Sequence, residues 1–320
     1  MDKEFIAQNI NYILKETNLP ELGSKKTGKV RDIYSNEDRL ILISTDRHSS
    51  FDRIIAHIPF KGRILTRTSQ WWFEKTKDII SNHALEYPDP NVIVAKKYKL
   101  VPIETIPRAY ITGSTNTSLW VHYQNGERDF GNFVLPEGLK KNQKLENTVL
   151  TFTTKLEEHD RVVTPKNIVD EGLVSETMMK KIQEISLKLF ERGRQIASEK
   201  GLILVDTKFE FGLDENENLV LIDELMTPDS ARWWMSGSYE KRFNNGQEPE
   251  YFDKEFLRLW FKGKCDPYKD KVLPTLPSDM IVEMAARYVQ IYERIIGEKF
   301  EVDINVPIEE RIKKNLEKYA

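Results

Sequence analysis

Ile6, Ile10, Ile13 and Leu14 recur at helical spacing with Pro20 just beyond them, which predicts an amphipathic helix at the start of the chain. From Gly28 the period shortens. Val30–Tyr34 and Leu40–Ser44 read as strands joined by the polar turn Ser35–Asp38. A loop over 46–62, an aromatic-rich helix over Ile64–Ile80 and strands over Asn91–Ala95 and Thr105–Thr112 are expected next. Gly126–Glu171 is polar, with Gly, Pro, Asn and many charges, a composition suited to a lid or binding loop. A long helix begins near Ser175 and is capped by Gly201. A β-hairpin then spans Gly201–Glu224, turning at Asp214–Asn218, and helices are expected over Phe252–Phe261, Asp279–Ile296 and Ile308–Tyr319. The pattern predicts an α+β protein in three segments: an antiparallel-sheet domain over 1–110, a central α/β domain over 111–245 and a helical extension over 246–320.

Composition narrows the function classes. The 320 residues are 39% hydrophobic and 31% charged, enough for one large or two medium domains with a sizeable core. A net charge of −3 argues against bulk nucleic-acid binding, which needs a dense cationic surface. No apolar run approaches the roughly 20 residues that cross a bilayer, and the N-terminus lacks the apolar stretch of a secretory signal. The lone Cys265 forms no internal disulfide and no His/Cys cluster suggests zinc, so a cytoplasmic location is expected.

The hairpin carries the chemistry. Side chains of a strand alternate, so Asp206, Lys208 and Glu210 share one face, and the returning strand brings Asp223 close to Lys208 and Glu210. Two carboxylates on adjacent strands suit Mg²⁺ with nucleotide phosphates supplying further oxygens, and a lysine between them reaches a phosphate. The same pattern also describes a solvated sheet face with ordinary ion pairs. Arg232, just beyond, is placed to grip a phosphate or carboxylate. Trp233 and Trp234 read as packing residues.

Gly23-Ser-Lys-Lys-Thr-Gly28-Lys29 nearly spells a Walker A loop, but Val30 follows and the downstream pattern is a strand, so that reading is rejected. It reads instead as a basic turn in which Lys29 and Arg31 face the same way and cover phosphates, or as a plain exposed hairpin. Arg108, on a strand running into Gly113-Ser114, suggests an anion site if a helix begins at Ser114. The alternative there is an ordinary serine cap.

Leu100-Val-Pro-Ile-Glu-Thr-Ile-Pro-Arg-Ala-Tyr-Ile-Thr-Gly-Ser114 and Leu204-Val-Asp-Thr-Lys-Phe-Glu-Phe-Gly212 resemble the two signatures of the SAICAR synthetase (phosphoribosylaminoimidazole-succinocarboxamide synthase) family. Gly28–Tyr34, Ser44–Asp52, Lys61–Thr66 and Asp223–Arg232 fit the same family in order, and the length resembles its longer form with a helical C-terminal extension. Pro107, Phe152 and His48 depart from the pattern. The resemblance implies an ATP cleft between two domains, related to ATP-grasp and kinase-type sites. It implies ATP and Mg²⁺ as co-substrate and cofactor, and carboxyaminoimidazole ribonucleotide (CAIR) and L-aspartate as small-molecule partners. Lys29, Arg31 and Glu104 would bind ATP, and Glu210 and Asp223 the metal. Lys208 and Asp206 would be catalytic, Lys208 at the reacting carboxylate and Asp206 at the imidazole amine. Arg108, Ser114 and Arg232 would hold CAIR. Asp52, Ser49, Lys155 and Asp160, with His159, would serve the aspartate end. A small-molecule kinase with a similar ATP site is the rival.

Overall fold

Arg31–Ser35 and Arg39–Ser44 pair antiparallel about the expected turn, Asp32 opposite Ile43 and Tyr34 opposite Ile41. In this computed structural model, which describes residues 1–155 and 161–320, they are the inner strands of a five-stranded antiparallel sheet. Ser24–Thr27 flanks them on one side, Val92–Lys96 and then Ala84–Asp89 on the other. Alternation sorts the sheet's faces. Tyr34, Ile41, Ile43, Val92 and Val94 pack with Ile308, Ile312 and Leu316 of the helix Ile308–Leu316, while Leu42, Ile93 and Ala95 cluster separately. Arg311 of that helix reaches Asp89 (2.8 Å) and Asn91 (2.7 Å).

The chain divides into two compact units: Met1–Trp71, His83–Lys97 and Phe252–Ala320 form the first, Trp72–Asn82 and Tyr98–Tyr251 the second. These bounds differ from the three consecutive segments that the sequence suggested. The helices Glu255–Lys262 and Ser278–Ile296 share a core with Ile6, Phe51, Ile58 and Phe60, so the C-terminal stretch belongs to the unit that the N-terminus begins. The opening helix is short, Lys3–Gln8, with Asp2 as its cap. The expected loop at 46–62 contains a strand pair, Arg47–Ser50 with Arg53–His57.

The second unit is built on the 13-residue strand Lys99–Ile111. On one side it pairs with Gln143–Thr154, which continues to Val162–Val163. On the other it pairs first with Phe209–Leu213 and then with Leu202–Thr207, which itself pairs with Ala231–Met235. Among the described residues the named strands of this unit pair antiparallel, an α+β arrangement where an α/β domain was expected. The helix Glu176–Glu199 is capped by Ser175 and followed by Gly201 at φ +69°. Trp233 and Trp234 are fully buried, stacked on Trp72 and Tyr239 respectively. No helix among the described residues is long and apolar enough to cross a membrane.

Candidate functional site

Asp206 opposite Arg108 and Glu210 opposite Glu104 keep one register on the strand Lys99–Ile111, which shifts between Glu210 and Gly212. Cross-strand partners point to the same side, so a row of charges runs along one face of the sheet. Four residues of strand separate Asp206 from Glu210, roughly 13 Å at about 3.3 Å per residue. The expected hairpin is interrupted at Lys208, whose N–H donates to Ser230 O (3.0 Å) where the strand changes partners from Ala231–Met235 to Leu219–Ile222. That break divides the row into two clusters.

At one end Glu104 and Glu210 face each other directly, a costly like-charge pair. Lys208 resolves it. Its Nζ lies 2.9 Å from Glu104 Oε1 and 3.7 Å from Asp223 Oδ2, and it bonds Glu210 Oε1. Lys155 adds a second ammonium, paired with Glu210 Oε2 and 3.4 Å from Glu104 Oε1, while Thr153 Oγ1 donates to Glu104 (3.2 Å). Among the described residues three carboxylates thus meet two ammonium groups. Asp223 follows the strand Leu219–Ile222 with φ +67°, a backbone state that non-glycine residues seldom adopt. Burial resists ionisation of Glu104, yet Lys208 and Lys155 outweigh it and hold that carboxyl at about 2. Burial and then Asp223 push Glu210 up to about 7. Burial also resists the charge on Lys208, but the surrounding carboxylates raise its pKa well above the usual lysine value.

The donor set suits a hard cation. Glu210 and Asp223 offer carboxylate oxygens, the hard donors that such a cation takes. Among the described residues no group of three or more His, Cys, Asp and Glu forms a metal cage. A magnesium ion at these two carboxylates therefore needs water or phosphate oxygens to complete its shell, its usual manner of binding.

The other end holds two arginines. Asp206 Oδ2 accepts from Arg232 Nη1 (2.7 Å) and Arg108 Nη1 (3.3 Å), and all three residues are buried. Arg108 also donates to Thr151 Oγ1 (2.9 Å) and Thr117 O (3.3 Å). Two buried guanidinium groups side by side offer the forked donors that suit a phosphate or carboxylate. Burial, then neighbouring Arg232, brings Arg108 down to about 10 against the pull of Asp206, so it stays charged at neutral pH. Gly113 (φ +104°) closes over this pair, and a Cβ on it would lie 2.7 Å from Arg232 Nη2. Gly113→Ala is expected to cost ~1–3 kcal/mol in backbone strain and to displace Arg232, read as a lower Tm and weaker anion binding. An unchanged Tm would show that the loop yields.

Two local expectations need correction: a helix start at Ser114 and a shared facing of Lys29 and Arg31. Ser114 is buried but does not start a helix; that helix is Leu119–Gln124, preceded by Ser118. Lys29 and Arg31 do not face the same way. Lys29 lies in the turn between Ser24–Thr27 and Arg31–Ser35, its side chain 61% exposed and 2.5 Å from Asp52 Oδ1, whereas Arg31 is buried. Lys155, expected at the aspartate end, sits on Glu104 and Glu210. Glu104, assigned to ATP, belongs to the same carboxylate cluster. Ser49 is buried in the strand Arg47–Ser50, and Asp52 is exposed just beyond it. His159 and Asp160 lie outside the described residues. Thr151 and Thr153 escaped notice because nothing in the polar stretch marked them as a strand.

Comparison with known proteins places this geometry. The profile of the SAICAR synthetase family matches residues 24–275. A phosphoribosylaminoimidazole-succinocarboxamide synthase of Legionella pneumophila (strain Paris) is 51% identical over 309 residues, covering 96% of this chain and 99% of that protein. The structure of the Saccharomyces cerevisiae SAICAR synthase complexed with SAICAR superimposes with a TM-score of 0.77 at 31% identity, covering 90% of this chain and 100% of that one. A SAICAR synthetase in complex with ADP aligns with a TM-score of 0.67 at 26% identity, covering 87% and 100%. The charged row, the arginine pair and the strand order therefore stand in a chain that belongs to the SAICAR synthetase family.

Proposed function

We propose that this protein is the ATP-dependent ligase of purine biosynthesis that joins L-aspartate to the carboxylate of CAIR, giving SAICAR, ADP and phosphate. The observation that carries the reading is the charged row itself. A pair of buried arginines and a carboxylate–lysine cluster lie on one strand face, roughly 13 Å apart. That suits a substrate with a phosphate at one end and a carboxylate to be activated at the other.

A carboxylate is a poor electrophile. In the first step a CAIR carboxylate oxygen attacks the γ-phosphorus of ATP, the bond to ADP breaks, and an acyl phosphate forms. The neutral amine of aspartate then attacks the acyl carbon, the C–O bond to phosphate breaks, and the amine loses a proton. Lys208, already tied to Glu104 and Glu210, holds positive charge beside the oxygens of the transferring group. Glu210 and Asp223 would hold Mg²⁺, which would offset phosphoryl charge when bound. Lys155, on the same carboxylates, offers a second cation once that metal takes its place. Arg108, Arg232 and Ser114 bind the ribonucleotide phosphate, and Asp206 fixes the two guanidinium groups and serves the imidazole side. The turn carrying Lys29, with Arg31 at its foot, covers ATP phosphates; Ser49 and Asp52 serve the aspartate end. A single cysteine and the absence of a long apolar stretch suit a cytoplasmic location.

Steady-state ADP release, with CAIR and L-aspartate omitted in turn, tests the reading. Release is expected to need both, and release that ignores aspartate would mark a kinase instead.

A further inference from the structure

Two residues that carry no role in the proposed reaction hold the backbone of the Gly28–Val30 turn. Arg47 sends Nη2 to Gly28 O (3.0 Å) and Nε to Lys29 O (3.4 Å). Thr45 gives both its N–H and its Oγ to Val30 O, each at 2.9 Å. All three consecutive carbonyls of the turn are therefore bound from the protein side. The N–H groups of Lys29 and Val30 have no acceptor among the described residues, while Gly28 N closes the turn on Arg31 O (2.7 Å). Successive turn N–H groups left unclaimed, with their carbonyls tied back, are donors that an anion can use.

Arg47 is itself fixed. Its side chain is 5% exposed, its Nη2 pairs with Asp32 Oδ1 (2.8 Å), and its Nη1 donates to Lys15 O (2.7 Å). Its carbonyl accepts from Lys61 Nζ (2.6 Å). The other Asp32 oxygen accepts from Thr17 N (2.7 Å) and pairs with Lys25 Nζ (3.1 Å). Only a guanidinium supplies donors to two turn carbonyls, a third carbonyl and a carboxylate together; an ammonium has three hydrogens and no planar fork.

We propose that Arg47, braced by Asp32 and seconded by Thr45, is a positioning residue that presents the Lys29 and Val30 N–H groups to the phosphates of the nucleotide. This rests on the reading of the turn as the phosphate cover. Arg47 touches no substrate; it acts through the turn.

The test is ADP binding followed by calorimetry and by hydrogen exchange at the Lys29 and Val30 amides, in parent and Arg47→Lys proteins. ADP is expected to slow exchange at both amides in the parent. Arg47→Lys keeps a cation beside Asp32 but is expected to weaken ADP binding at least about tenfold and to abolish that slowing. In turnover KM for ATP rises while KM for CAIR holds within about threefold, a split that general loosening of the fold would not produce. Thr45→Val keeps one of two bonds to Val30 O, is expected to weaken ADP about threefold, and serves if Arg47→Lys does not fold. Unchanged ADP affinity and protection in either folded variant would overturn the role of the clamp. No protection in the parent would overturn the turn reading and the proposal with it.

Discussion

Lys208→Met is expected to reduce kcat by about a thousandfold while leaving KM for CAIR within a few-fold, because a preorganised charge beside a developing anion contributes about 3–4 kcal/mol. Methionine keeps the length of the side chain and removes only its charge, so the packing of the neighbouring strands has little reason to change. The variant has a second consequence. With Lys208 gone, Glu104 and Glu210 keep Lys155 as a partner, and Mg²⁺ meets one resident ammonium fewer at Glu210. Mg²⁺ affinity, read by calorimetry, is expected to hold or rise as turnover falls. Turnover within tenfold of the parent would remove Lys208 from the chemistry.

Arg232→Ala is expected to raise KM for CAIR by about 30-fold or more, with KM for ATP within threefold of the parent. The magnitude follows from losing a buried, charge-assisted contact to a phosphate, about 2–5 kcal/mol. Asp206 keeps Arg108 as a partner in this variant, so the fold loses one pair rather than stranding a charge. If Arg232 serves only to neutralise Asp206, the variant loses Tm and leaves KM for CAIR unchanged. Kinetics and thermal unfolding, measured together, separate the two roles.

The sequence made some of this legible and hid the rest for physical reasons. Arg39–Ser44 was visible because Leu40-Ile-Leu-Ile43 is an apolar run of strand length. Glu176–Glu199 was visible through its serine cap and trailing glycine. Gln143–Thr154 was not: it mixes Gln, Lys, Glu, Asn and Thr, because part of it is exposed and part lines polar ground. Arg47–Ser50 was missed for the opposite reason, since all four residues are buried though none is apolar, and alternation carries no signal there. Asp206, Lys208 and Glu210 were placed on one face by alternation alone. That Asp206 belongs with two arginines while Lys208 and Glu210 belong with Glu104 depends on the register of Lys99–Ile111, which only tertiary pairing sets. The pairing of Lys155 with Glu104 and Glu210 was hidden because those partners come from strands distant in sequence on either side.

Carboxylate activation is the centre of this account, and isotope transfer reads it directly. CAIR carrying ¹⁸O in both carboxylate oxygens is turned over with ATP and L-aspartate, and the released phosphate and SAICAR are analysed by mass. The account predicts one ¹⁸O in each phosphate and one in the new amide carbonyl, since the oxygen that attacks phosphorus leaves with it. Unlabelled phosphate, with the lost oxygen appearing in water, would contradict it.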